Sequence, residues 1–145
     1  MSRFILQTDK APQAIGPYSQ AVLENFTYRL ELSGQIGIDP SSGKLANGLE
    51  AQTQQVLDNI EAVLAEIGWS FPNITKARIY LTDIEHYKTV NRIYAERFGN
   101  QPPARAVVAV NGLPMDALIE IECTAGGPGV SEAAREKYKI FVDMG

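Results

Sequence analysis

At 145 residues the chain fits one domain, long enough to bury about 70% of its unfolded surface without a disulfide or metal staple. Its 13 basic against 17 acidic residues give a net charge of −4, which argues against a general nucleic-acid binder, whose surface is usually basic. One cysteine (Cys123) and one histidine (His86) exclude an intramolecular disulfide, the usual Cys/His zinc set and any His-activated nucleophile that does not use His86.

Arg3 to Gln7 forms a short first strand, and APQAIGPY (11–18) is a loop broken by Pro12 and Gly16-Pro17. The N-terminal apolar patch is too short for a signal peptide, and no run of 18 apolar residues follows, so the expected location is the cytoplasm. A second strand falls around Ala21 to Glu24. Thr27 to Ser33 alternates Tyr28, Leu30 and Leu32 against Arg29, Glu31 and Ser33, a strand with one polar face. DPSSG (39–43) is a turn.

Leu49 to Ile67 is the clearest helix, with Val56, Ile60, Val63, Leu64 and Ile67 on one stripe. Lys76 to Thr82 reads as a strand with Ala77, Ile79 and Leu81 on one side. Asp83 caps a second helix that runs to about Phe98 and closes at Gly99. On that helix Tyr87, Asn91, Tyr94 and Phe98 share a stripe about 60° wide. An amide in an aromatic stripe either bonds a neighbouring backbone group or lines a pocket or interface.

Ala104 to Val110 and Ala117 to Ala125 are the last two strands, joined by NGLPMD. Arg105 stands at the head of the first, in PPARAVVAV. It snorkels, pairs with an acid, or receives a carboxylate from outside. The last strand places Leu118, Glu120, Glu122 and Thr124 on one face and Ile119, Ile121, Cys123 and Ala125 on the other. Glu120 is a solvated surface acid, a cross-ladder partner of Arg105, or, beside a cavity, a group that orients water or moves a proton. Cys123 reads as a buried, inert thiol and His86 as solvated surface. After Ala125, GGPG leads to a segment that docks as a terminal helix or frays. The order β-β-β-α-β-α-β-β indicates an α+β domain, a mixed sheet with helices on one face.

Several stretches taken together narrow this reading. AIGPYSQAV (14–22), SGQIGIDP (33–40), QTQQVLDNI (52–60), VNRIYAERF (90–98), PPARAVVAV (102–110) and LP…LIEIE (113–122) resemble, in order and spacing, the RidA (YjgF) family of reactive-intermediate deaminases. The resemblance implies a chorismate-mutase-like fold with a mixed six-stranded sheet and two helices on one face. Three subunits would close a trimeric barrel, with the sites between subunits. Residues 1–125 would be the RidA-like domain and 126–145 a C-terminal extension.

The implied activity is hydrolysis of 2-imino acids and their enamine tautomers, such as 2-iminobutanoate and 2-iminopropanoate, to 2-oxo acids and ammonia. No metal or cofactor is implied, and no membrane or nucleic-acid partner. The family's carboxylate-binding arginine matches Arg105, its loop tyrosine Tyr18 and its late glutamate Glu120, which are the expected catalytic set. Ser33, Gly34, Asn91 and the main chain at Val107 would complete substrate binding. Ala106 and Val107 depart from relatives that carry Ser and Cys there. A larger enamine acid such as 2-aminomuconate is the alternative substrate. A non-catalytic 2-oxo-acid-binding or chaperone-like trimer is the alternative role. The acidic balance and lone histidine weigh against an endoribonuclease.

Overall fold

A computed structural model describes the chain from residue 2 to residue 141. Residues 142–145 of the expected extension lie outside the described residues.

Six strands and two long helices follow the expected order: β1 (Ser2–Leu6), β2 (Ala21–Asn25), β3 (Tyr28–Ile36), α1 (Leu49–Ala65), β4 (Ile74–Leu81), α2 (Tyr87–Phe98), β5 (Ala104–Ala109) and β6 (Ile119–Gly127). A third helix, α3 (Glu132–Tyr138), is added at the end. Asp83 does act as a cap. Its carboxylate accepts from the Glu85 N–H at 2.9 Å and starts a single 3-10 turn, from which α2 continues. At the other end of α2, Gly99 takes φ 68°, a conformation that favours glycine.

The central sheet has four strands in the order β3-β6-β4-β5. β6 runs antiparallel to both neighbours, and β5 lies parallel to β4 through the α2 crossover. One face carries Ala77, Ile79 and Leu81 of β4 with Ile119, Ile121, Cys123 and Ala125 of β6, the parity expected from their alternation. Against it pack Val56, Leu57, Ile60 and Leu64 of α1 and Val90, Ile93 and Tyr94 of α2. Val63 does not join them and is 40% exposed.

A single six-stranded sheet is not formed within the chain, because β1 and β2 make a separate two-stranded sheet. Charge anchors the hairpin elsewhere. The Arg3 guanidinium donates to the carbonyls of Pro72 and Ile74, the latter at 2.9 Å. Arg3 also pairs with Glu24 at 3.2 Å, and the Glu24 side chain is only 3% exposed. These contacts tie the hairpin to the turn before β4, away from the free edge of β3.

The chain after β6 docks rather than frays. Ser131 caps α3 through the Ala134 N–H, and its own N–H donates to the Ile67 carbonyl at 3.0 Å, just beyond α1. The Trp69 indole donates to the Gly129 carbonyl at 2.7 Å, and Lys137 and Tyr138 both reach Glu66. Among the described residues, no helix is long and apolar enough to cross a membrane.

Candidate active site

Arg105 lies on β5, directly opposite the fully buried Ala77, so its side chain leaves the sheet on the helix side. There it meets α2. Nη1 donates to Asn91 Oδ1 at 2.8 Å and Nη2 to the Tyr87 hydroxyl at 3.3 Å. The guanidinium carbon stands 4.9 Å from the ring centre of Tyr94, 5.5 Å from that of Tyr18 and 5.7 Å from that of Tyr87. The rings attract the cation and exclude water from one side of it. Among the described residues no carboxylate lies within ion-pair distance of Arg105. The cation is held by neutral groups alone.

Tyr18 reaches this place because its loop is fastened to the residues before β5. Ser19 donates from Oγ to the Pro102 carbonyl at 2.6 Å and from its N–H to the Pro103 carbonyl at 3.3 Å. The Tyr18 N–H donates to Gly16 at 2.8 Å, and its hydroxyl accepts from the Ile15 N–H at 3.3 Å. The IGPYSQ and PPAR motifs are thus one clasp. Beside it a cavity of about 250 Å³ opens between the hairpin and the loop, with Tyr18, Leu6, Gln13 and Pro102 in its wall.

Ser33 and Gly34 lie elsewhere. Leu32 pairs with Cys123 and Gln35 with Ile121, so two residues of β3 face only Glu122 on β6. This is a β-bulge, the usual device for re-aiming side chains beside a site. Glu120 leans over it: a Cβ built on Gly34 would sit 2.8 Å from Glu120 Cδ, so only glycine leaves the carboxylate its place. Glu120 is half-buried on the face away from the helices and has no hydrogen-bond partner among the described residues. Nearby on that face the Tyr80 hydroxyl donates to Glu122, and this bond raises the Tyr80 pKa.

The candidate residues therefore fall into two clusters. Arg105, Asn91 and Tyr18 gather at one edge of the sheet, on the helix side. Ser33, Gly34 and Glu120 gather at the other edge, on the opposite face. Cross-ladder pairing of Arg105 with Glu120 does not occur, since β4 separates their strands. Val107 follows Arg105 on β5. The Val110 N–H is used by the Leu81 carbonyl, so by the alternation of a strand the main-chain groups of Val107 face the open edge.

Tyr87 and Tyr94 as neighbours of Arg105 went unread in the sequence, although their shared stripe with Asn91 was the available signal. Cys123 sits in the row Arg105–Ala77–Cys123 behind the cation. Burial pushes its thiol up to about 12, so it stays protonated and is no nucleophile at neutral pH. His86 is half-buried rather than fully solvated.

A family profile described as Endoribonuclease L-PSP matches residues 8–126. The chain belongs to this family. A Rid-family protein of Yersinia pestis, described as of unknown function, is 46% identical in its solved structure, covering 86% of this chain and 99% of that one with a TM-score of 0.66. The solved structure of an endoribonuclease-type protein from Thermotoga maritima is 44% identical over 89% of this chain and 100% of that one, with a TM-score of 0.68. A human protein named 2-iminobutanoate/2-iminopropanoate deaminase is 46% identical over 124 residues, 85% of this chain and 89% of its own. Within the Rid-family match lie both clusters of candidate residues, and α3 lies beyond it.

Proposed function

We propose that this Rid-family protein hydrolyses small 2-imino acids and their enamine tautomers to 2-oxo acids and ammonia. The observation that carries the reading is the Arg105 guanidinium, caged by three tyrosine rings and bonded to an amide and a phenol, with no anion of its own among the described residues. A planar fork in such a place favours a bidentate carboxylate, the group that every 2-imino acid carries. The name of the human relative supports the same chemistry.

The two clusters supply different parts of the reaction. Arg105, with Asn91 behind it, grips the carboxylate and presents the C=N bond, and the main chain of Val107 lines the approach. Glu120, seated over Gly34 with its oxygens unengaged, orients a water about 3 Å from the imine carbon and takes one of its protons. Attack on the protonated imine forms the C–O bond and gives a carbinolamine. Return of the proton to nitrogen lets the C–N bond break as the C=O bond forms, with the carbinol O–H proton passing to the Glu120 carboxylate; ammonia leaves and the 2-oxo acid remains. Tyr18 hydrogen-bonds the departing amine, and Ser33 shapes the pocket. Since the clusters occupy opposite edges of one sheet, the reading includes a homotrimer in which the β5 edge of one copy meets the β3 edge of the next.

The test couples a threonine dehydratase, which generates 2-iminobutanoate, to added protein. Imine loss is expected to accelerate in proportion to the protein added. An unchanged rate over the spontaneous reaction overturns the proposal.

A further inference from the structure

We propose that Tyr87 is a further positioning residue of the carboxylate site, holding one arm of Arg105 and donating its own phenolic proton to the bound acid. The inference rests on the reading of Arg105 given above and adds a donor to it. Tyr87 and Asn91 are four residues apart on α2 and so project from one helix face. Each takes one arm of the fork: Asn91 accepts from Nη1 and Tyr87 from Nη2. The guanidinium is thereby fixed in rotation as well as in place.

A phenol carries one proton and two lone pairs. The Tyr87 oxygen spends a lone pair on Arg105, and its O–H has no acceptor among the described residues. Accepting from a cation polarises the hydroxyl and makes it a stronger donor. The acid that docks on Arg105 brings the acceptor this proton lacks.

The other two rings of the cage are placed differently. Tyr94 is fully buried, with its hydroxyl enclosed. Tyr18 meets the guanidinium through its ring, and its hydroxyl accepts from the Ile15 N–H instead of from Arg105. Tyr87 is half-buried and walls a shallow cavity of about 400 Å³ with Ile84, Glu85 and Lys88, so it borders both solvent and cation. The backbone of Gly16 lies against the same pair. A Cβ there would stand 3.3 Å from the Tyr87 hydroxyl and 3.4 Å from Arg105 Nη2.

Binding of 2-oxobutanoate, a stable product-like acid, to wild type and to Tyr87→Phe separates the possibilities, read by calorimetry beside steady-state kinetics and thermal melting. The ring is kept, so melting is expected to stay within a few degrees. Loss of one hydrogen bond to a charged group is expected to weaken 2-oxobutanoate about tenfold. KM for the imine should rise by a similar factor, with kcat within about twofold. Equal binding by wild type and variant overturns the role of Tyr87 while leaving the carboxylate site intact. Failure of the wild type to bind 2-oxobutanoate overturns both. A fall in kcat at constant KM overturns positioning in favour of a role in the chemical step.

Discussion

Two arginines beside the beginning of β4 meet opposite fates. Arg3 is nearly enclosed and is answered from within the chain, by the Glu24 carboxylate at 3.2 Å and two backbone carbonyls. Arg105 is half-buried and receives only neutral partners. The first arrangement holds a hairpin in place. The second leaves a cation with no anion among the described residues, the feature on which the proposed carboxylate site rests. The difference shows how to tell a structural arginine from a receptive one: by what the rest of the chain withholds from it.

Truncating each arginine breaks the comparison most directly. Arg105→Ala is expected to lower kcat/KM for 2-iminobutanoate by about 100-fold or more, since a desolvated charge contact is removed, with melting little changed. A variant that unfolds, or that keeps full activity, contradicts a receptive role. Arg3→Ala is expected to do the reverse. It strands a buried carboxylate and costs about 3 kcal/mol in denaturant unfolding, while the folded fraction keeps its specific activity. Burial already pushes the Glu24 carboxyl up against the pull of Arg3, so without Arg3 it should take up its proton more readily still.

Glu120→Gln sharpens the contrast between gripping and reacting. The amide fits the same seat over Gly34 but cannot take a proton. A fall in kcat of about 10- to 100-fold with KM nearly constant is the expected result. A rise in KM alone would make Glu120 a binding group.

The smallest effect probes how dry the wall behind Arg105 is. Cys123 holds its thiol proton up to about 12 in the fold. An unfolded chain releases it near pH 8.5 or so, about the ordinary thiol value. In that window the unfolded state binds fewer protons, so stability falls as pH rises. Between pH 8 and 10 the wild type is expected to lose about 2 kcal/mol more than Cys123→Ala. Parallel pH profiles would mean that water reaches the sulfur.

Much of this was readable before any coordinates. The alternation of ARIYL and LIEIECTA assigned the inward faces of β4 and β6, and the wheel placed Asn91 among aromatics. Local periodicity carries that information, and the fold kept it. Strand order is another matter. Nothing in the spacing of Arg105 and Glu120 says that β4 comes between them, because pairing is set by contacts far apart in the chain. The bulge at Ser33–Gly34 escaped for a related reason. An extra residue in β3 is defined only against its partner β6. The hairpin's separation depends on Arg3 finding carbonyls some seventy residues away, at Pro72 and Ile74.

The closeness of Gly34 to Glu120 makes two positions one genetic unit. A side chain at 34 has to push the mobile end of Glu120 from its seat, so under the proposed mechanism a lineage could silence residue 120 without mutating it. A survey of natural variants that scores only the acid would count such chains as intact. The glycine should be scored with it.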